Sequence, residues 1–286
     1  MRELTFLVSD EWDGAKLKSF LRRPCGLSAR LLVKLKKEPM GLSINGSHAR
    51  SVDILHKGDE VRLRIPDDSK LAQAKPAPLD IVYEDDDLLV VNKPDGMPMH
   101  PSPGHDCDTL SNAVAAYYQE KGQPMAVRAV YRLDKDTTGL VVIAKNPYAA
   151  ARLASGVQKE YTAVCEGLLC GEGTVDGPIA VMEGHGIRRE VNPLGVPAVT
   201  HWRAAAWNET HTLLKLWLET GRTHQIRVHM ASLGHPLAGD DMYGGRLELI
   251  SRQALHCGRI SFSHPVTGEP LCFVQELPED MLVFRF

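Results

Sequence analysis

The sequence predicts an α+β protein in two parts: a small basic α/β unit, then a larger unit built around a mixed sheet. Three observations lead there. The net charge is −3 over 286 residues, yet residues 1–70 hold 14 Lys/Arg against 10 Asp/Glu, leaving −7 on the other 216. Residues 66–78, PDDSKLAQAKPAP, mix Pro, Ala and charge without an apolar period and read as a linker. Beyond them, short strand-like apolar runs are interspersed with segments of helical period.

In the first unit, residues 1–65, the segment GAKLKSFLRRPCGLSARLLVKLKK (14–37) predicts two short helices broken at Pro24-Cys25-Gly26. Ser28 is placed to cap the second, because its hydroxyl can accept an otherwise unpaired backbone N–H. Leu31, Leu32 and Leu35 share an apolar face of that helix, while Arg30, Lys34 and Lys37 recur on another and Lys36 adjoins them. Two strands are expected in GLSINGSHA and GDEVRLRIP, with a turn at Asn45-Gly46. Scattered charge on a helix is ordinarily just a solvated face. Residues 16–37, however, hold eight basic residues and no acidic one. That bias suits an RNA backbone, with Arg30, Lys34, Lys36 and Lys37 as the expected contacts.

The second unit, residues 79–286, predicts strands at Leu88–Val91, Leu140–Ala144, Tyr161–Leu168 and Leu213–Glu219. One helix should start at Thr109 and stop at Gly122, with Leu110, Ala113, Val114 and Tyr117 on its apolar side. Another should run from about Thr223 to Gly234.

Composition narrows the function. Hydrophobic content of 43% and charged content of 24% describe an ordinary globular protein. No apolar run approaches the ~20 residues of a membrane span. The start, MRELTFLVSDEW, lacks the basic and apolar stretches of a signal peptide, so a cytoplasmic protein is expected. Cys25, Cys107, Cys165, Cys170, Cys257 and Cys272 form no CxxC pair and read as reduced, mostly buried thiols. His224 and His229 could share a helix face, with His235, His100 and His105 as further candidate ligands. No H-E-x-x-H occurs, and GDDMYGG (239–245) reads more simply as a loop, so neither a metal nor a cofactor is expected.

Two segments carry candidate chemistry. In YRLDKDTTG (131–139), Asp134 precedes a turn and a buried strand. A lone Asp there is usually a turn residue, but a rigid scaffold at a cleft edge also suits a nucleophile. In ETGRTHQIRVHMASLGHPLAGDDMYGG (219–245), a strand meets a helix through Thr220-Gly221-Arg222, where Arg222 could pair with Asp134 and hold it as a carboxylate.

Five blocks occur in order: LLVVNKPDGMPMHPSPGHDCDTLSNAV (88–114), YRLDKDTTGLVVIAKN (131–146), KEYTAVCEG (159–167), TGRTHQIRVHMASLGHPLAGDDMYG (220–244) and ALHCGRISFSHPVTGEPLCF (254–273). Together they resemble the RluA family of RNA pseudouridine synthases over roughly residues 80–282. The N-terminal unit resembles the small RNA-binding domain shared with ribosomal protein S-four, although AKLKSFL stands where that family usually shows Arg-Leu-Asp.

The resemblance implies a catalytic domain around a mixed, largely antiparallel sheet. It implies isomerisation of chosen uridines: the N1–C1′ bond breaks, the base turns, and C5 rejoins C1′. Asp134 is then the catalytic aspartate, whether it attacks the sugar, adds to the base or takes a sugar proton. Tyr161 contacts the base and is a candidate for removing the C5 proton. Arg222 pairs with Asp134, and Ile226 packs on the uracil. Arg132 fills the space left when the uridine leaves its stack. Tyr131 stands where that family usually has His, which is expected to alter RNA contacts rather than chemistry. The expected partner is structured RNA, rRNA ahead of tRNA, acted on by a monomer. The rival is a non-catalytic RNA-binding or ribosome-assembly protein that has kept the fold. Asp134, Tyr161 and Arg222 together argue against it. A metal-dependent hydrolase is a distant third.

Overall fold

A computed structural model describes residues 1–66 and 71–286. Its N-terminal sheet is antiparallel, in the order β1-β4-β2-β3, from β1 (Arg2–Leu7), β2 (Leu42–Ile44), β3 (Ser47–His48) and β4 (Glu60–Ile65). Helices α1 (Leu17–Arg22) and α2 (Ala29–Leu35) pack on it through Leu17, Leu21, Leu31 and Leu35. The Ser28 hydroxyl accepts Leu31 N–H at 3.1 Å, capping α2. Asn45 and Gly46 both adopt positive φ, the two-residue turn geometry that suits the twist of β2 and β3. Strand β1 is an addition to the sequence reading. Its partner β4 lies almost a unit away in sequence, so no local turn signals the pairing.

The larger sheet contains, among the described residues, ten strands. Its main path runs β10 (Glu172–Asp176), β13 (Val199–Trp207), β14 (His211–Leu218), β9 (Gln158–Glu166), β15 (Leu255–Ser263), β8 (Thr138–Ala144), β6 (Leu88–Lys93), β5 (Asp80–Glu84). Strands β7 (Arg128–Ala129) and β16 (Pro270–Val274) join β8 and β15 respectively. A separate hairpin, β11 (Ile179–Val181) with β12 (Arg189–Val191), lies between β10 and β13 in sequence. Every pairing is antiparallel except β8 with β15, so the sheet is mixed and largely antiparallel. Strands β6 and β8 are buried on both faces, which is why they read as continuous apolar runs.

Helix α3 (Leu110–Glu120) starts at Thr109, whose side chain and that of Asn112 form a reciprocal cap. Asn112 Nδ2 also donates to the Gln73 carbonyl, and Lys75 N–H to the Asn112 carbonyl, fixing the second half of the segment read as a linker. Residues 67–70 of that segment lie outside the described residues. Helix α4 (Pro147–Leu153) packs near β7 and β8, and helix α5 (Gln225–Ser232) near β12 and β13. Among the described residues no helix is long and apolar enough to cross a membrane.

The parallel pair β8–β15 is a fork. The strands meet only at His256↔Thr138 and Cys257↔Gly139. Beyond that point β7 pairs with β8, and β16 with β15. Contact this close needs a glycine: a Cβ on Gly139 would lie 2.4 Å from the Cys257 carbonyl oxygen, and its φ is +117°.

The two sheets meet at a polar joint. Asp87, 2% exposed, accepts two hydrogen bonds from the Arg2 guanidinium at 2.8 and 3.0 Å, and one from Asn146 Nδ2 at 2.7 Å. Tyr148 of α4 donates to the Cys25 carbonyl at 2.7 Å. Asp85 and His264 lie beside Asp87, and the Asp85 carboxylate already accepts from Tyr83, His264 and two backbone N–H groups. Its lone pairs are occupied by the protein itself.

Candidate active site

Asp134 sits at the crotch of the fork. The chain descends from β7 along the free edge of β8, anchored by Val130 N–H to the Val142 carbonyl, and by the Tyr131 hydroxyl donating to the Leu140 carbonyl at 2.9 Å. It then turns through residues 134–137, where Thr137 N–H closes on the Asp134 carbonyl at 3.1 Å. Three side chains hold this turn. Lys93, 1% exposed, donates to the carbonyls of Lys135, Pro94 and Met97 at 2.7–2.9 Å. Arg252 donates to the Asp136 carbonyl, and Gln253 to Thr137 Oγ1. Burial lowers the Lys93 ammonium to about 8, against the pull of Asp136, Asp95 and Asp134. The position of Asp134 is thus set by backbone held from three sides.

The five residues expected around the chemistry, Arg132, Asp134, Tyr161, Arg222 and Ile226, line one cavity of about 260 Å³. Tyr161 is buried on β9 opposite Cys257, and burial first, then nearby Cys257 and Asp134, push its hydroxyl well above the usual 10. Ile226 is buried in the first turn of α5. Arg132 is exposed at the rim.

The expected partner of Asp134 is corrected. Arg222 donates its Nε to the Pro197 carbonyl at 3.1 Å. The guanidinium beside Asp134 belongs to Arg227, whose Nη1 is 3.7 Å from Oδ2. Arg227 is fixed from behind by Asp240, with Nε and Nη2 bonds of 2.7 and 2.8 Å, and its plane lies over the Tyr243 ring. The reason is local backbone. Gln225 accepts Arg222 N–H and Thr220 Oγ1 while donating to Val199 and Thr200, so Arg222 remains in the turn. The helix therefore begins at Gln225, two residues later than expected, and its first turn presents Ile226 and Arg227 to the cavity.

His224 precedes α5 with left-handed φ of +58°, an uncommon conformation for a residue other than glycine. Its Nδ1 is hydrogen-bonded to Tyr243 Oη at 2.9 Å, and Tyr243 accepts Arg189 N–H at the same distance. His229 is bonded to Thr200 and Gly177, and His235 to the Glu166 carbonyl. His224 and His229 thus serve different neighbourhoods rather than one helix face.

Chemically, the cavity offers a carboxylate with positive charge beside it, a protonated phenol, and an apolar wall. Because Arg227 spends its two good hydrogen bonds on Asp240, it neutralises charge at Asp134 without occupying the carboxylate at hydrogen-bond distance.

Residues 87–232 match the family described as RNA pseudouridylate synthase. A Bacillus subtilis protein named uncharacterized RNA pseudouridine synthase YjbO is 43% identical over 264 residues, covering 90% of this chain and 93% of that one. The chain belongs to the RluA family of RNA pseudouridine synthases. A Vibrio parahaemolyticus relative named ribosomal large subunit pseudouridine synthase D is 43% identical, over 79% of this chain and 75% of its own. The solved structure of human RNA pseudouridylate synthase domain containing 1 superposes with a TM-score of 0.57 at 26% identity, covering 71% of this chain and 86% of that one. Within this RluA-family chain, Arg227 and Asp240 are the site residues that sequence reasoning missed. The available signal was an arginine inside HQIRVHM, where an otherwise apolar helix face must find a buried charge a partner.

Proposed function

We propose that this RluA-family chain converts specific uridines of structured RNA, rRNA ahead of tRNA, to pseudouridine, with Asp134 as the catalytic aspartate. The observation that carries the reading is the single cavity where Asp134, Tyr161 and Ile226 converge with Arg227 at 3.7 Å. The rRNA preference is supported by relatives named for the large ribosomal subunit.

The target uridine leaves its stack, at a cost of a few kcal/mol, and enters the cavity, while Arg132 at the rim fills the vacated space. Ile226 packs on the uracil face. Asp134 engages the nucleoside, the N1–C1′ bond breaks, the base turns, and C5 bonds to C1′. Overall, C5 loses a proton and N1 gains one, so no oxidant or cofactor is needed. Tyr161, kept neutral by burial in the same cavity as Asp134, orients the base through its hydroxyl and relays the C5 proton. Arg227 orients and charge-balances Asp134, taking the part expected of Arg222. Arg222, at the mouth of the cavity, contacts the RNA backbone.

Residues 1–65 act in this reading as an RNA-gripping unit of the S-four type, tied by residues 66–78 to the catalytic unit, 79–286. Arg30, Lys36 and Lys37 are exposed on or just beyond α2, with Lys34 half-buried.

The test is to map pseudouridines in total RNA from cells with and without the gene, then to assay tritium release from uridine-labelled RNA with wild-type and Asp134→Asn protein. Loss of defined pseudouridines with the gene, and a silent Asp134→Asn protein, are expected. Turnover in that variant, free of wild-type contamination, would overturn the reading.

A further inference from the structure

A second cavity, of about 600 Å³, adjoins the first, and the two share Val130, Tyr131, Lys159, Leu218 and Gly221 as a common wall. We propose that this second cavity holds the nucleotide next to the target uridine in the same RNA strand, and that Tyr131 and Trp217 select it by stacking. The inference rests on the reading of the first cavity as a uridine site.

Continuity is the first argument. A uridine seated against Asp134 stays joined by phosphates to its neighbours, and the wall the cavities share gives one neighbour a direct path into the second cavity. The volume lies within the range of ordinary small-molecule pockets.

The chemistry of the walls is the second. The Tyr131 hydroxyl is tied to the Leu140 carbonyl, which leaves its ring as the working surface. Lys159 Nζ stands 4.9 Å from that ring's centroid and donates to the Val157 carbonyl; burial lowers the ammonium below its usual value. A cation held half-desolvated at a cavity wall is matched by the negative charge of a phosphodiester. Trp217, also in the lining, carries the Arg203 guanidinium 5.5 Å from its ring, which adds positive charge beside a second aromatic surface. Stacking on such rings is worth roughly a tenfold to hundredfold change in binding per base.

Hydrogen-bonding groups for a base edge are the third. Gln158 and Glu219 are exposed at the lining, and Glu219 is held at 2.7 Å by His201, whose other ring nitrogen is bonded to Thr174 Oγ1. Tyr131 then has a definite task. Where the family usually has an imidazole, this chain places the larger, less polar phenol ring in the wall the two cavities share.

The test uses the full chain and an RNA oligonucleotide carrying its mapped target uridine, with an abasic unit placed in turn on the 5′ and the 3′ side. In wild-type protein, one of the two positions should lower kcat/KM by about tenfold or more. Trp217→Leu and, separately, Tyr131→Leu should lose a similar factor on intact RNA, and little more when the abasic unit is present. Two variants, one on β14 and one in the segment between β7 and β8, guard against a folding defect in either. Pseudouridine formation that is indifferent to both abasic positions, or a penalty that persists undiminished in both variants, would overturn the inference while leaving the uridine site standing. A wild-type chain that forms no pseudouridine in any RNA would overturn the uridine site and this inference with it.

Discussion

Arg227 Nη1 stands 3.7 Å from Asp134 Oδ2, while the other edge of the same guanidinium is bound to Asp240 at 2.7 and 2.8 Å. One planar cation therefore spans two carboxylates, one locked by hydrogen bonds and one left open to the cavity. Arg227→Lys keeps the charge but loses the fork. It should slow single-turnover pseudouridine formation about a hundredfold, the scale of losing one positioned charge donor, with RNA affinity little changed. Combined with Asp134→Asn it should be no worse than Asp134→Asn alone, as for groups acting as one unit. Arg222→Lys should reduce the rate less than tenfold by comparison. A larger loss in Arg222→Lys than in Arg227→Lys would reverse the assignment.

Tyr161 is expected to work protonated. Burial raises its hydroxyl well above 10, so between pH 7 and 9 its ionised fraction is negligible, and the single-turnover rate should not climb tenfold per pH unit there. Tyr161→Phe keeps the ring and should bind RNA nearly as well while reacting far more slowly. Equal losses of binding and rate would make Tyr161 a packing residue alone.

Replacing Arg30, Lys34, Lys36 and Lys37 together by Glu should weaken RNA binding and flatten its salt dependence. The slope of log affinity against log salt should fall by about 0.9 for each duplex phosphate contact removed. An unchanged slope, measured by filter binding across a salt series, would show that this face stands apart from the RNA.

His256, 1% exposed and hydrogen-bonded to Thr138 Oγ1 at 2.8 Å, makes stability depend on pH. Burial lowers its imidazole from 6.5 to about 4. Between those values the unfolded chain binds a proton that the folded chain refuses, so stability rises with pH across the window and is lost on acidification. At ~1.4 kcal/mol per unit, the loss approaches a few kcal/mol at pH 4. Urea unfolding at pH 7 and pH 5 should show a smaller difference in His256→Gln than in wild type, even if the variant is less stable at pH 7.

Much of the fold was legible because its signals are local. Ser28, Thr109 and Asn45-Gly46 act within a turn of themselves, and each lies where the sequence placed it. Strands β6 and β8 are buried on both faces, so their apolar runs could be read directly. Strand β1, the hairpin β11–β12 and strands β5, β7, β10, β13, β15 and β16 were not read, because their pairing is decided by partners and packing that no short window contains. Among site residues, Asp134, Tyr161 and Ile226 fall together as their motifs suggested. The arginine was misassigned for a reason of direction. Sequence marks the strand-to-helix junction, but only the Gln225 hydrogen bonds decide that Arg222 stays in the turn and Arg227 enters the cavity.

The fork between β8 and β15 sets the tolerance of the site. Asp134 hangs from the β8 side, Tyr161 belongs to the β15 side, and two rungs, His256↔Thr138 and Cys257↔Gly139, align them. A slip of a single rung would displace one of these side chains from the other by ~3.3 Å, more than a hydrogen bond can bridge. The alignment of Asp134 with Tyr161 is thus written into one missing methyl group at Gly139, so that the narrowest stitch in the sheet is also the gauge to which the cavity is cut.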